Sequence, residues 1–318
     1  MARPTIGLAL GGGVARGFVH IGVVKRLIAE NIKPDIVTGT SIGAVVGGLY
    51  LAGHFEALEQ WALSLTPKRV FSYADVKLGG NSLIAGEKLA AELRNYISDR
   101  CIENLDRIFV CVATELSTGH EVWMRRGTMA DALRASYALP GLFPPVQYDG
   151  RWLVDGALVN PVPTSVARAE GARFVVAVSL HSDQLGAEPR GTTETVGGAG
   201  TLPEAMRLAP NPVPDSDKGF VARTIEAIRP DRMLMRMLFG VAGAAPALGS
   251  VMLSALNILL DRVTRTRLAG DPPDVLIAPR VGNIGLLDFH RAGELIQLGY
   301  AATDAAIPEI KERIKLLS

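Results

Sequence analysis

Short apolar runs alternate with helical patterns along the first fifty residues. Thr5 to Leu10 is an apolar run that predicts a buried strand, and three glycines follow it. From Arg16 to Glu30 apolar residues recur at helical spacing, and a second short strand begins at Asp35 to Thr38. A glycine turn then leads to an apolar helix over Ala44 to Leu51. This order of strand, glycine turn and helix, seen twice, predicts a parallel sheet covered by helices.

The rest of the chain continues the same alternation. Further strands are predicted over Ile108–Ala113, Trp152–Val154, Phe174–Leu180 and Val275–Ala278. Further helices are predicted over Gly86–Ile97, Ala130–Ser136 and Val162–Ala169, and from Asp288 onward. The pattern therefore predicts an α/β fold with mainly parallel strands.

Two segments interrupt this alternation. Ser182–Gly219 is rich in Gly, Pro, Thr and Ser and has little periodicity, which is typical of a loop or an insertion. Met237–Leu260 contains no charged residue and is long enough to span a bilayer. It also fits a helical cap buried over the core, or an apolar surface that docks on a membrane. We predict a catalytic core over residues 1–181, an insertion over 182–270, and strand and helices over 271–318 that complete the core.

A serine lies between two glycines where the second strand is predicted to meet the second helix. The run is Gly39-Thr40-Ser41-Ile42-Gly43, the pattern of a nucleophile elbow. In such an elbow a sharp turn exposes the serine at a helix N-terminus, where the helix dipole favours a developing alkoxide. The structural alternative is a plain glycine turn in which Ser41 caps the helix.

A second glycine-rich turn follows the first predicted strand. Consecutive residues Gly11, Gly12 and Gly13 can expose backbone N–H groups ahead of a helix, and such groups bind anions. If they face Ser41, they form an oxyanion hole. The alternative is a dinucleotide-binding turn, which requires an acidic residue at the end of the second strand. Asp35 lies at about the right distance along the chain but precedes that strand.

An aspartate follows the predicted strand Trp152–Val154 directly. Asp155 is followed by Gly156, and a carboxylate at the end of a strand can reach the ends of neighbouring strands. Active sites in open parallel sheets lie at that edge. Because Asp-Gly pairs are also common in ordinary turns, Asp155 is a candidate whose role depends on its neighbours.

Together, these motifs resemble the bacterial patatin-like phospholipases. The resemblance rests on four ordered blocks with matching spacing: Gly11-Gly12-Gly13 through Arg16-Gly17 with His20 and Gly22, then Gly39 to Gly43, then Ala135 to Pro145, and finally Asp155-Gly156. It covers roughly residues 5 to 180 and, more weakly, the tail after Asp274. Residues 182–267 match nothing in the family, so substrate choice stays open.

The resemblance implies a three-layer α/β/α core and a lipid acyl hydrolase of phospholipase A or lysophospholipase type. Ser41 would attack the ester carbonyl, and Asp155 would accept its proton, without a histidine. The implied oxyanion donors are the backbone N–H groups of Gly11, Gly12, Gly13 and Val14. The implied supporting residues are Arg16, Gly39, Gly43 and Gly156. The resemblance implies no cofactor and no metal.

Two other functions remain open from the residues alone. An α/β-hydrolase uses Ser, Asp and His in that chain order, and His181 or His290 could supply the histidine after Asp155. A non-catalytic lipid-binding or nucleotide-binding protein could reuse the glycine turn for anion binding. A metal site at His181 and Asp183 would have only two ligands, too few to predict one.

Composition and charge restrict the classes of molecule that the protein is expected to bind. The 318 residues include 33 Lys plus Arg and 32 Asp plus Glu, so the formal charge is +1. This balance argues against nucleic-acid binding and against adsorption to anionic lipid by charge alone. Two cysteines make no disulfide framework and favour a cytoplasmic protein. The expected partners are a phospholipid or lysophospholipid and a membrane surface, which the apolar run Met237–Leu260 would contact. The flanking arginines would then meet the lipid headgroups: Arg232, Arg236, Arg262, Arg265 and Arg267. Oligomeric state is not predicted.

Overall fold

The computed structural model describes residues 3–73, 87–97, 100–181 and 248–318. At its centre is an eight-stranded sheet. Its strands are β1 (Ile6–Leu10), β2 (Ile36–Thr40), β3 (Ile108–Glu115), β4 (Glu121–Met124), β5 (Val146–Tyr148), β6 (Arg151–Asp155), β7 (Phe174–Val178) and β8 (Val275–Ile277). They lie in the order β5-β6-β3-β2-β1-β7-β8, and β4 also pairs with β3. The neighbouring strands β3, β2, β1, β7 and β8 are parallel to one another. The remaining strands, β4, β5 and β6, form antiparallel pairs.

Helices connect these strands. They are α1 (Val19–Ala29), α2 (Ile42–Leu51), α3 (Phe55–Leu63), α4 (Pro67–Tyr73), α5 (Glu87–Ile97), α6 (Met129–Ser136), α7 (Thr164–Ala169), α8 (Leu248–Gly270) and α9 (Ala292–Leu317). Short 3-10 turns cover Val14–Phe18, Ile102–Asn104, Gly156–Leu158 and Phe289–Arg291. The predicted mainly parallel α/β fold is therefore confirmed, with α3, α4, β4 and β5 added to the elements that the pattern predicted.

Both faces of the sheet are buried, which gives the fold three layers. Along β7, Phe174 and Val176 pack into the large cluster that includes residues of α1, α2 and α9. The alternate residues Val175 and Ala177 pack into a second cluster with Ala167 of α7. Successive side chains of a strand point to opposite faces. The near-continuous apolar run of β7 therefore reflects a strand covered by helices on both sides.

The predicted apolar segment is described from Leu248 onward. Residues 182–247, which include Ser182–Gly219, the start of Met237–Leu260 and the nearby Arg232 and Arg236, lie outside the described residues. The described part of the apolar run belongs to α8, which continues to Gly270. Among the described residues, no helix is long and apolar enough to cross a membrane.

Two of the arginines that flank the apolar run, Arg265 and Arg267, form contacts within the protein. Their place at lipid headgroups stays a prediction. The guanidinium of Arg267 donates to the carbonyl oxygen of Val159 at 2.8 Å and pairs with Glu121 at 3.2 Å. Two residues earlier, Arg265 pairs with Asp261 of the same helix at 2.9 Å. The contacts of Arg267 attach the C-terminal end of α8 to the core.

Candidate active site

The register of β3 brings the predicted nucleophile and base together. Thr40, the last residue of β2, pairs with Val112, and Asp155, the last residue of β6, pairs with the next residue, Ala113. The ends of the two strands are therefore adjacent, although they are far apart in the chain. Ser41 follows β2 directly, and its Oγ donates a hydrogen bond of 2.6 Å to Oδ2 of Asp155.

The backbone at Ser41 has the strained geometry of a nucleophile elbow. Its φ is +57° and its ψ is −126°, and α2 begins at the next residue. A non-glycine residue at such a φ costs energy and is found mostly where function requires it. The turn also packs closely on β1, because a Cβ at Gly43 would lie 2.2 Å from the carbonyl oxygen of Leu10. Gly43 is therefore required here by space, as the elbow pattern predicts.

A second serine fixes the elbow, and the sequence analysis did not assign it a role. Ser136, the last residue of α6, accepts a hydrogen bond of 2.9 Å from the backbone N–H of Ser41. Its own hydroxyl donates to the carbonyl oxygen of Val112 at 2.6 Å. It lies within the block Ala135–Pro145 that resembles the family, which was the only available signal. Ser136 thus positions Ser41, the predicted nucleophile, relative to β3.

Asp155 is almost fully buried, which changes its acidity. Its Oδ1 accepts the backbone N–H of Ala157 at 2.8 Å, while Oδ2 faces Ser41. Burial raises the pKa of Asp155 to about 7, and the hydrogen bonds from Ser41 and Ala157 only partly oppose this. An ordinary aspartate, with a pKa near 3.9, is too acidic to be a good base at neutral pH. Asp155 therefore has the proton affinity that a general base needs.

Gly156 allows the chain to pass close to the backbone of β3 directly after this carboxylate. A Cβ at Gly156 would lie 2.3 Å from the carbonyl oxygen of Val112, so no side chain fits there. The hydroxyl of Thr114 also donates to the backbone carbonyl of Asp155 at 2.8 Å. Both contacts come from β3, so the same strand positions Asp155 and, through Ser136, Ser41.

The structure narrows the predicted oxyanion hole from four N–H groups to two. The N–H of Gly11 donates to Val178 O at 3.1 Å, and that of Gly12 donates to Pro161 O at 2.9 Å. The N–H groups of Gly11 and Gly12 therefore already donate hydrogen bonds within the protein and are not free to bind an oxyanion. The N–H groups of Gly13 and Val14 have no acceptor among the described residues. Gly13 and Val14 line the same pocket as Ser41, so their N–H groups are the available donors.

Two further side chains support this glycine turn. His20 is fully buried, and its Nε2 donates to the carbonyl oxygen of Gly11 at 2.7 Å. Burial lowers the pKa of His20 to about 4, so the ring is neutral at neutral pH. Arg16, a predicted supporting residue, donates through Nε to the carbonyl oxygen of Ile284 at 2.8 Å. It therefore attaches the 281–287 segment, which forms one wall of the pocket, to the glycine turn.

A mostly apolar pocket surrounds the Ser41–Asp155 pair. Its apolar lining consists of Val14, Leu139, Leu142, Ala157, Leu256, Leu260, Leu286 and Leu287. Its polar lining, besides Ser41 and Asp155, comes from His181 after β7 and Asn257 on α8. Helix α8 therefore forms a wall of the pocket as well as part of the protein surface.

Neither candidate histidine of a Ser-Asp-His triad contacts Ser41 or Asp155 through a hydrogen bond in the described part of the chain. His181 lines the pocket, but the described structure shows no hydrogen bond from it to Ser41 or Asp155, and its Nδ1 has no partner. His290 lies in the 3-10 turn before α9 and does not line the pocket in the described part of the chain. Ser41 instead contacts the carboxylate directly.

Similarity to known proteins identifies the family of the chain. The sequence profile described as patatin-like phospholipase matches residues 8–168. The chain belongs to the patatin-like phospholipase family. An uncharacterized NTE family protein of Mycobacterium bovis is 32% identical over 331 residues, which cover 96% of this chain and 92% of that protein. The patatin-like phospholipase domain-containing protein ZK370.4 of Caenorhabditis elegans is 36% identical over 183 residues, 56% of this chain and 14% of its own.

Family membership supports lipid acyl hydrolysis in broad terms. The matched patatin-like region spans β1 to α7, so it contains Ser41, Asp155 and the glycine turn. Helix α8 lies beyond it, although Leu256, Asn257 and Leu260 line the pocket. The matched region therefore contains the hydrogen-bonded Ser41–Asp155 pair, and α8, outside the matched region, contributes a wall of the pocket.

Proposed function

We propose that the protein hydrolyses acyl esters of phospholipids or lysophospholipids through a Ser41–Asp155 dyad. The single observation that supports this best is the 2.6 Å hydrogen bond from Ser41 Oγ to the buried carboxylate of Asp155. In the first step, Asp155 accepts the hydroxyl proton while Ser41 Oγ bonds to the ester carbonyl carbon. The alcohol leaves with the proton from Asp155. Water then attacks the acyl-enzyme and gives a proton to Asp155. When the bond to Ser41 Oγ breaks, the fatty acid leaves and Asp155 returns this proton to Oγ.

The available N–H groups lie where the negative charge develops. During attack the carbonyl oxygen becomes an oxyanion, and the N–H groups of Gly13 and Val14 can donate to it without losing another partner. Each donor of this kind is typically worth about 3 kcal/mol of transition-state stabilisation. The leucines around Ser41 suit an acyl chain, because they remove apolar surface from water on binding.

Product analysis over a lipid panel tests this proposal. We expect purified protein to release fatty acid from diacyl phospholipids or lysophospholipids, as mass spectrometry of the products would show. A fluorophosphonate probe should form its adduct on Ser41, located by peptide mapping. A folded protein that releases no fatty acid from any ester and takes up no probe would contradict the proposal and favour a lipid-binding module.

We further propose that α8 docks on the lipid surface beside the pocket. Ile258 and Leu259 are each 60% exposed, and Met252 is 61% exposed. Leu256 and Leu260 of the same helix line the pocket. One helix therefore presents apolar side chains both to solvent and to the catalytic serine. Insertion of the exposed side chains into a bilayer would bring the pocket to its substrate.

Polar substitutions on α8 test the docking. We expect the double variant Ile258→Gln and Leu259→Gln to lose most binding to phospholipid vesicles in a flotation assay, because about 25 cal/mol is lost per Å² of apolar surface no longer buried. The matched control is Leu316→Gln in α9, where the side chain is 78% exposed. Equal flotation of the double variant, the control and wild type would mean that α8 does not dock.

A further inference from the structure

Two buried polar atoms in the pocket have no partner. One is Nδ1 of His181, whose side chain is almost fully buried after β7, and the other is Oδ1 of Asn257 on α8. Both residues line the pocket that contains Ser41. By contrast, Ser136, Thr114 and both oxygens of Asp155 form hydrogen bonds. Other unpartnered buried atoms, such as Nδ1 of His20, Oγ of Ser179 and Oδ1 of Asp261, belong to residues that do not line the pocket.

Such unpaired atoms are costly and need an explanation. A buried donor or acceptor without a partner loses its hydrogen bonds to water, and native structures contain few of them. His181 and Asn257 come from separate parts of the chain, both beyond the matched family region, and line one cavity. A substrate group that fills the cavity can supply the missing hydrogen bonds.

The hydrogen-bonding properties of His181 Nδ1 and Asn257 Oδ1 indicate which kind of substrate group can bind them. Burial and the nearby positive charge of Arg16 lower the pKa of His181 to about 4, so its ring is neutral at neutral pH. The Oδ1 of Asn257 only accepts hydrogen bonds, so it would repel a phosphate oxygen. A hydroxyl can donate to Asn257 Oδ1 and accept from an Nδ1–H of His181. A hydroxyl group therefore suits either atom, and it brings no charge into a mostly apolar pocket.

We propose that His181 and Asn257 bind a hydroxyl group on the alcohol part of the ester and so select esters with a free hydroxyl near the scissile bond. This inference rests on the proposed hydrolase function. In the tetrahedral state the alcohol part remains attached to the carbonyl carbon held by Ser41, so a hydroxyl bound by this pair also orients the ester. The two residues are therefore specificity determinants of the site.

Two matched esters test the inference. Glyceryl monohexanoate and propyl hexanoate share the acyl chain and a three-carbon alcohol, and only the first carries free hydroxyls. We expect wild type to have the higher kcat/KM on the glyceryl ester. Asn257→Leu and His181→Phe should each lower the ratio of the two kcat/KM values by about tenfold, the usual worth of one hydrogen bond. Asn257→Ala serves as a second variant if the leucine variant does not fold.

A control variant and two contrary results distinguish failure of this inference from failure of the proposed hydrolase function. Thr266→Val removes an exposed hydroxyl from the same helix, outside the pocket, and should leave the ratio as in wild type. An unchanged ratio in both pocket variants, or an equal fall in Thr266→Val, would overturn the inference. If wild type hydrolyses neither ester nor any lipid, the proposed function itself fails.

Discussion

Replacing Ser41 by alanine is expected to abolish both ester hydrolysis and fluorophosphonate labelling. The variant lacks the Oγ atom that forms the acyl-enzyme, and no other hydroxyl donates to the carboxylate of Asp155 among the described residues. Loss of a serine nucleophile lowers kcat by about 10⁶ in a well-studied serine protease. We expect a fall of comparable size, measured as fatty acid release and as probe incorporation.

The variant should fold, so the loss can be assigned to chemistry. Alanine has the same Cβ as serine, and the backbone N–H of residue 41 keeps its hydrogen bond to Ser136. Ser117→Ala is the matched control, because this serine is exposed in the turn after β3. Retained labelling of Ser41→Ala at the wild-type level would show that the nucleophile lies elsewhere.

The fold was predictable where elements are long or fully buried. The run Thr5 to Leu10 predicted β1, which the structure has at Ile6–Leu10, because a strand covered on both faces is apolar at every position. Strands β4 and β5 have only four and three residues, too few for alternation to be recognised. They form through pairing with β3 and β6, and that pairing is not visible in the local sequence.

The sequence was enough to predict individual residues of the candidate site, but not the contacts between them. Local turn chemistry marked Ser41 and Asp155 separately, but their contact depends on which residues of β3 they adjoin. The role of Ser136 follows from the same register, since a lone helical serine has no motif. The number of free oxyanion donors depends on Val178 and Pro161, which accept from Gly11 and Gly12. Such distant carbonyl groups leave no mark in the glycine run itself.

Replacing Asp155 by asparagine is expected to lower kcat/KM by about 10³, the middle of the range for general base catalysis. The amide keeps the size of the side chain and can accept the N–H of Ala157, but it cannot take a proton from Ser41. In wild type the base acts only when ionised. Activity should therefore fall about tenfold per pH unit below the pKa of about 7 and level off above it.

The same variant should be more stable than wild type above neutral pH. Burial raises the pKa of Asp155 from 3.8 to about 7 in the folded protein, so the folded state keeps the proton longer than the unfolded state. The resulting contribution to stability is fully present below about pH 4 and is lost as pH rises through about 7. Three pKa units correspond to on the order of 4 kcal/mol.

Because asparagine does not ionise, the stability of Asp155→Asn does not decrease in this way as the pH rises. Thermal unfolding of wild type and Asp155→Asn at pH 5 and pH 8 should show a stability difference that grows in favour of the variant at the higher pH. The slow variant would then be the more stable protein, as expected if the fold retains a buried carboxylate for its reactivity. A difference independent of pH, together with a wild-type rate that does not fall below pH 7, would mean that Asp155 is not the base.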